Sequence, residues 1–288
     1  MKSNPTITVR PATYADRAAI VAAEALSTPG LRYVDQVFDL FMDRTQGEFL
    51  VAELAGDVVA CGKFTITPDG SAWLETLRVI PACQGLGIGK RFYEAFFALA
   101  HRDGISTMRM YTGTKNVVSK GLAERFGFRL AEAFTEARLP VAQATPTSEA
   151  IPFQPVTDPH RAYQLIGQHR DNWHDFLVMN RTFYKITPAL CTWLTVTGQV
   201  YEEPASESIM VIGARFMPEE ALHIGFFGGD VTQCLRFALQ QGCAAGVPRL
   251  NCIFPAASFA IYDALLQADF HPLDATLIVM ETHVPATT

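Results

Sequence analysis

The sequence predicts an α/β protein in which one arrangement of strands and helices occurs twice in tandem. Three observations carry that prediction. The stretch Leu74–Arg91 reads as a strand, a glycine-rich turn and the start of a helix. Strand and helix periodicities alternate along roughly the first 140 residues. Two blocks of the first half also recur about 144 residues later, which is half of the 288-residue chain.

Each element has its own local signal. Tyr14–Leu26 and Arg32–Arg44 carry helical spacing. Glu48–Leu54 and Val58–Thr65 alternate in strand fashion across a turn at Ala55-Gly56-Asp57, and Ser71–Val79 makes a further strand. A helix is expected over Ile88–Arg102, with Phe92, Phe96, Leu99 and Ala100 on its apolar side. Thr107–Thr112 then forms a strand and Asn116–Phe126 a helix.

The glycine-rich turn is built to hold an anion. Gly85, Gly87 and Gly89 allow unusual dihedrals and a close approach of backbone to ligand. The backbone N–H groups of Gln84 to Lys90 are expected to face that ligand, backed by the helix dipole and the charge of Lys90. The dinucleotide fingerprint fails here, because Lys90 stands where a third glycine is needed. The P-loop spacing fails as well, since Gly85 and Gly89 enclose three residues and Arg91 follows the lysine.

What fits is Gln-x-x-Gly-x-Gly at Gln84, Gly87 and Gly89, five residues after Val79. With Ile7–Asp16 and with Asn116–Phe128, which begins with an asparagine and ends in Gly-Phe, this segment resembles the GCN5-related N-acetyltransferase (GNAT) family. The resemblance implies the acyl-CoA N-acyltransferase fold, a mixed twisted sheet flanked by helices in which the strand ending at Val79 splays from the one ending near Thr112. It also implies acetyl-CoA as acyl donor, held by Leu77, Arg78, Val79, Gln84, Gly85, Leu86, Gly87, Ile88, Gly89, Lys90, Asn116 and Ser119.

Composition sets the outer bounds. With 49% hydrophobic and 18% charged residues the chain is of ordinary globular type. A net charge of −6, from 23 basic and 29 acidic residues, speaks against a nucleic-acid partner. Six cysteines form no C-x-x-C pair, and no signal peptide or membrane-crossing stretch is read, so a cytoplasmic protein with reduced thiols is expected. No metal-ligand spacing stands out, and both monomer and homodimer are compatible with the sequence.

The internal repeat sets the domain organisation. Phe153–Ile166 matches Val9–Ile20, pairing Pro155 with Pro11, Thr157 with Thr13 and Arg161 with Arg17, and Ser258–Phe270 matches Asn116–Phe128. We therefore expect residues 1–145 to form an acetyl-CoA-binding domain and residues 146–288 a degenerate copy, with the seam in Leu139–Pro155. Taking Leu222–Gly228 as the counterpart of Trp73–Val79, the second copy is shorter by about the length of the phosphate turn. Asp230 stands where a pyrophosphate would be repelled.

The expected chemistry is transfer of an acetyl group to a primary amine of a small molecule or amino acid by direct attack. The attack needs a base and a donor to the developing oxyanion. Glu75 is the candidate base, and backbone N–H groups of Leu77 to Val79, aimed by a bulge, are the candidate donors. The tyrosine acid common in the family's later helix is replaced by Ala123; Ser119 and Tyr111 are substitutes, or the thiolate leaves and takes a proton from solvent. Arg32 and Asp35, with Tyr33 beside them, are candidates to recognise a zwitterion, and Trp173, His174 and His169 are candidates to line the pocket from the second copy. Cys83 reads as a turn filler and His101 as a partner of its helix C-terminus. A different class of function, an acetyl-CoA-binding regulatory or interaction module without turnover, is the alternative.

Overall fold

The computed structural model describes residues 6–143 and 151–285, which divide into two units. The first takes the chain up to Thr112, Asn116–Arg129 and the residues from Met280 on; the second takes Gly113–Lys115 and Leu130–Val279. Part of the expected seam, residues 144–150, lies outside the described residues.

In the first unit β1 (Ile7–Pro11), β2 (Gly47–Leu54), β3 (Asp57–Ile66), β4 (Ala72–Val79) and β5 (Thr107–Gly113) lie side by side in chain order. The first four are antiparallel to their neighbours, and β5 is parallel to β4. Ala55 and Gly56, at φ of 55° and 94°, form the two-residue turn that joins β2 to β3 with Leu54 opposite Asp57. Positive φ at both central residues matches the right-handed twist of the flanking strands.

The two faces of this sheet are sorted by the pleat. Gly62 and Phe64 face α3 (Ile88–Arg102): a Cβ on Gly62 would stand 3.0–3.2 Å from the Phe92 and Phe96 rings, and Phe64 stacks on Phe96. Ile88, Phe92, Phe96, Leu99 and Ala100 of α3 are buried, at the spacing that puts them on one helical stripe. Each buried phenylalanine contributes about 2–3 kcal/mol. Cys61, Lys63 and Thr65 point the other way, toward α1 (Arg17–Ser27) and α2 (Phe38–Met42), and the Lys63 Nζ donates to the Phe41 carbonyl at 2.9 Å.

Two sequence expectations change. The helix expected over Arg32–Arg44 is only α2, because Glu24, 2% exposed, accepts the N–H groups of Tyr33 and Val34 at 3.2 and 3.1 Å and holds that stretch as a loop. The helix expected from Tyr14 begins as a short 3-10 turn, Tyr14–Asp16, before α1. The fourth helix, α4 (Val117–Arg125), follows β5 as expected.

The second unit contains most of β6 (Arg129–Pro140), then β7 (Gln154–Pro155), α5 (Pro159–His169), the hairpin β8 (Phe176–Met179) and β9 (Thr182–Lys185), and α6 (Pro188–Val196). It continues through β10 (Val200–Glu203), β11 (Ser208–Gly213), β12 (Leu222–Gly228), α7 (Val231–Ala245), β13 (Arg249–Pro255) and α8 (Phe259–Gln267). Its strands run in the order β6-β13-β12-β11-β10-β7, with β12 and β13 parallel. Trp173 is core, 1% exposed, with its Nε1 donating to the Phe227 carbonyl at 3.0 Å.

The last strand, β14 (His271–His283), passes from the second unit into the first at Met280. Within the first unit Glu281 pairs with Arg109 at 2.5 Å, and the Val284 N–H donates to the Ser106 carbonyl at 2.9 Å.

Another ion pair fixes the start of the first unit. Arg10 forks onto Asp16 with both bonds at 2.8 Å, and it holds that carboxyl down to about 2, with the Thr13 N–H assisting against the opposing effect of burial. The folded value lies below the unfolded one, so the stabilisation is present above pH 4 and is lost as pH falls toward 2. Allowing for screening of the half-exposed Arg10, Asp16→Asn is expected to cost about 1–2 kcal/mol at pH 7. In urea titrations at a series of pH values, the gap between variant and parent closes toward pH 2.

Candidate active site

The site begins where two strands part. The β4–β5 ladder pairs Ala72 with Met108, Trp73 with Arg109 and Leu74 with Met110, and it goes no further. β4 nevertheless runs on to Val79 and β5 to Gly113. The splay expected from the resemblance is present, and it opens at Glu75.

β4 is also bulged at this point. Lys63 faces Glu75 and Cys61 faces Arg78, so that Thr76 and Leu77 together oppose the single residue Gly62. Thr76 takes φ of 53°, an uncommon conformation for a β-branched residue. The extra residue sharpens the twist and redirects the backbone of Thr76 and Leu77, while Arg78 and Val79 are back in register opposite Cys61 and Ala60.

Residues 80–87 join β4 to α3. Gln84 ties this turn to the strand through its Nε2, which donates to the Val79 carbonyl at 3.1 Å. Gly85 and Gly87 have φ of 79° and 86°, which favour glycine, and a Cβ on Gly89 would stand 2.8 Å from Leu122 Cδ2. The Gln84 N–H is spent inside the turn on Pro81, which corrects the expectation that it faces an anion. Those of Gly85 to Lys90 have no backbone acceptor among the described residues. Gln84 to Gly87 and Lys90 are exposed, Ile88 is buried as the anchor of the helix, and Lys90 lies 3.6 Å from Glu94. Such an array of N–H groups at a helix N-terminus suits a phosphate group.

Glu75 lies on the face toward α1 and α2. It is 7% exposed and accepts a short hydrogen bond from the Thr65 hydroxyl. Trp73 and Arg78 share its face of β4, and Tyr111 of β5 stacks on Trp73 at 6.0 Å. Tyr33, from the loop between α1 and α2, closes over them. Burial first, then the charge of Glu75 and the proximity of Tyr111, raise its phenol well above the ordinary range. Tyr33 therefore remains a hydrogen-bond donor at neutral pH.

Periodicity gave no sign of this gathering. Lys63 inside the apolar run Val58–Ile66 was the one visible anomaly, and cross-strand register is needed to place it beside Glu75. Asp35 is paired with Arg17 at 2.8 Å on the surface, so the expected zwitterion pair Arg32–Asp35 is replaced at the site by Tyr33. Asn116 caps α4, its Oδ1 accepting the Ser119 N–H at 3.1 Å, and Ala123 is wholly buried, with no side chain to serve as an acid. His101 lies in the last turn of α3, where it meets the helix C-terminus.

The second unit repeats the geometry and fills it. β12 and β13 also pair three times and stop at Ile224–Cys252, and β12 is bulged at Gly225. Gly225 is the extra residue of that bulge, and a Cβ there would stand 3.1 Å from both Leu177 and Met179 of β8. Only residues 229–230 separate β12 from α7, and the Asp230 carboxylate caps that helix by accepting the Gln233 N–H at 3.1 Å. His174 is bound to Glu132 at 2.6 Å, and His169 packs against Gly228.

Among the described residues no group of three or more His, Cys, Asp or Glu is placed to hold a metal ion, and no helix is long and apolar enough to cross a membrane. All six cysteines are free, and Cys243 is the least buried. Burial pushes Cys61 and Cys234 up to about 12 and Cys191 up to about 11, and it raises Cys252 as well. Since thiolate is the reactive form, iodoacetamide at pH 8 is expected to modify Cys243 first. Mass spectrometry should find Cys61, Cys191, Cys234 and Cys252 unmodified until the chain unfolds.

The profile of the acetyltransferase (GNAT) family matches residues 19–128. No curated protein matches the sequence. A GCN5-related N-acetyltransferase from Sphaerobacter thermophilus superposes with a TM-score of 0.70 at 13% identity, covering 98% of this chain and 97% of that one. A tandem GNAT protein from the clavulanic acid biosynthesis pathway gives 0.64 at 13% identity, over 98% of this chain and 100% of that one. A GCN5-related N-acetyltransferase from Kribbella flavida gives 0.54 at 12% identity, over 96% and 71%. At these identities the likeness is one of fold: two tandem copies of the acyl-CoA N-acyltransferase arrangement. Residues 19–128, which carry the strand splay and the glycine-rich turn, are the part of the chain that is similar in sequence to the acetyltransferase (GNAT) family.

Proposed function

We propose that the first unit transfers the acetyl group of acetyl-CoA to the primary amine of a small molecule or amino acid, by direct attack while both substrates are bound. One observation carries this reading. A buried carboxylate, Glu75, stands at the mouth of a strand splay whose other border is a turn of unspent N–H groups.

The residues fit the donor. The turn Gln84–Lys90 receives the pyrophosphate, with Gly85 and Gly87 leaving open space where side chains would intrude. Leu77, Arg78 and Val79 offer backbone groups along the open side of β4, and Asn116 and Ser119 border the gap at the start of α4. When bound, acetyl-CoA supplies an activated thioester carbonyl.

The chain's own residues do the rest. Glu75 takes the proton of the amine, directly or through a water. Thr65 fixes one carboxylate oxygen, and the Lys63 ammonium is tethered on the facing strand. Backbone N–H groups freed at the Thr76–Leu77 bulge polarise the carbonyl oxygen. Tyr33, protonated at neutral pH, donates a hydrogen bond within the pocket. The thiolate leaves without a tyrosine acid on α4 and takes its proton from solvent.

The second unit is in this reading a degenerate copy that binds no acetyl-CoA, since β12 runs directly into a helix capped by its own Asp230. We place the protein in the cytoplasm, where six free cysteines remain reduced, acting as a monomer or a homodimer.

Free-thiol release from acetyl-CoA, followed across a panel of amines, tests the activity. Glu75→Gln should lower kcat by about two to four powers of ten; an unchanged rate removes it as the base. Titration calorimetry should find one acetyl-CoA per chain, and a ratio of two would overturn the degenerate assignment. Silence across the panel with tight acetyl-CoA binding would favour a regulatory module.

A further inference from the structure

The strand gap of the second unit is closed by the chain itself. Beyond Ile224 and Cys252 the parallel ladder stops, while β12 runs on to Gly228 and β13 to Pro255. β12 stays paired with β11 as far as Gly228, and β13 with β6 as far as Pro255, so the free edges of the two strands face each other. Backbone groups on such edges need partners.

Trp173 stands on the free edge of β12. Its indole N–H donates to the Phe227 carbonyl at 3.0 Å. Its ring stacks on Phe226, centroids 5.1 Å apart, and meets Phe227 edge-on at 5.2 Å. Consecutive strand residues point to opposite faces of a sheet, and strand carbonyls lie in its plane. A side chain that touches both residues and a carbonyl therefore sits at the strand's edge. β11 holds the other edge, which leaves the gap between β12 and β13.

The residue before it secures the far side. Ser258, at the N-cap of α8, donates its hydroxyl to the Asn172 carbonyl at 2.5 Å. Ser258 is the repeat counterpart of Asn116 at the start of α4. The short turn Arg170–Trp173 thus reaches from β12 to α8. Directly after it, His174 and Asp175 take φ of 48° and 62°, rarely adopted by residues other than glycine, and the chain returns to β8. Arg170 clamps the loop onto Asp175 at 2.5 Å. Strained backbone persists where its surroundings fix it, and here it delivers one buried indole into the gap.

We propose that Asn172–Trp173 is a built-in occupant of the second unit's acyl-donor groove. It stands where the first unit takes the arm of acetyl-CoA along the open side of β4, a comparison that rests on the reading above. The indole N–H replaces an amide N–H of that arm. Loss of the phosphate turn is thereby joined by a second, independent block, and the groove behind the indole keeps its frame.

Removing the indole should reopen the groove. The probe is N-pentylpantothenamide, which has the two amides of the coenzyme's arm and no phosphate for Asp230 to repel. Titration calorimetry uses the full-length protein with its first unit filled beforehand by coenzyme A. It should find no probe bound to the parent and one per chain in Trp173→Gly. Free indole, which fits the apolar space left behind, should displace the probe. A folded Trp173→Gly that binds no probe, or binds it without competition from indole, would overturn the proposal. Trp173→Ala replaces it under the same criteria if the glycine variant does not fold. Failure of both to fold, judged by circular dichroism, overturns the proposal too, because an occupant can leave its groove standing. If coenzyme A does not bind the first unit, the acetyl-CoA reading fails instead, and the added site in the variant over the parent remains the readout.

Discussion

The early end of the β4–β5 ladder is the constraint on which the first unit's chemistry depends. Backbone polar groups at the edge of a strand need partners, and beyond Leu74 the open side of β4 has none from β5. The bulge compounds this by opposing Thr76 and Leu77 to a single glycine, Gly62, whose missing side chain also admits the Phe92 and Phe96 rings. Packing on the α3 side and polarity on the α1 side are thus set by one irregularity in one strand. Moving it by one residue would exchange Glu75 for an apolar neighbour on the open face.

The second unit shows that splay and bulge alone do not make such a site. β12 has both, yet it carries no carboxylate, and the β8 hairpin packs Leu177 and Met179 against Gly225. The loop to α7 is six residues shorter than the one to α3, and an aspartate at its helix cap takes the N–H that an anion would need. The same backbone frame serves in one unit as an opening and in the other as a packed interior.

How much of this was legible in the sequence follows from how local each feature is. The turn at Gln84–Lys90, the Ala55–Gly56 hairpin and the α3 stripe are set by residues adjacent in the chain, and the sequence shows them. The fold class and the tandem repeat were legible as well, the first through three blocks in order. Glu75 could be singled out, but its surroundings could not. Thr65, Lys63, Arg78 and Tyr111 are brought to it by strand register, and Tyr33 by a loop that the buried carboxylate of Glu24 holds. The same carboxylate explains the missed loop, since Arg32–Val37 has helical spacing and is denied a helix by a bond to Glu24 from Tyr33. The passage of β6 into the second unit and of residues 280 onward into the first left no mark on periodicity.

That exchange bears on how the chain folds. Arg109 meets Glu281 across 172 residues of sequence, and Asp69 meets the same arginine at 2.9 Å. The Nε of this buried guanidinium has its partner only when the far carboxylate arrives, so the contact that completes the first unit forms when nearly the whole chain is available. Contacts of such long range slow folding, because loop closure must precede the energy they return. During synthesis β1 to β5 emerge early, yet Arg109 waits for Glu281 with one of its partners missing. A chain interrupted after α4 would therefore hold Arg109 on Asp69 and Ser71 alone, without the second carboxylate that completes its site.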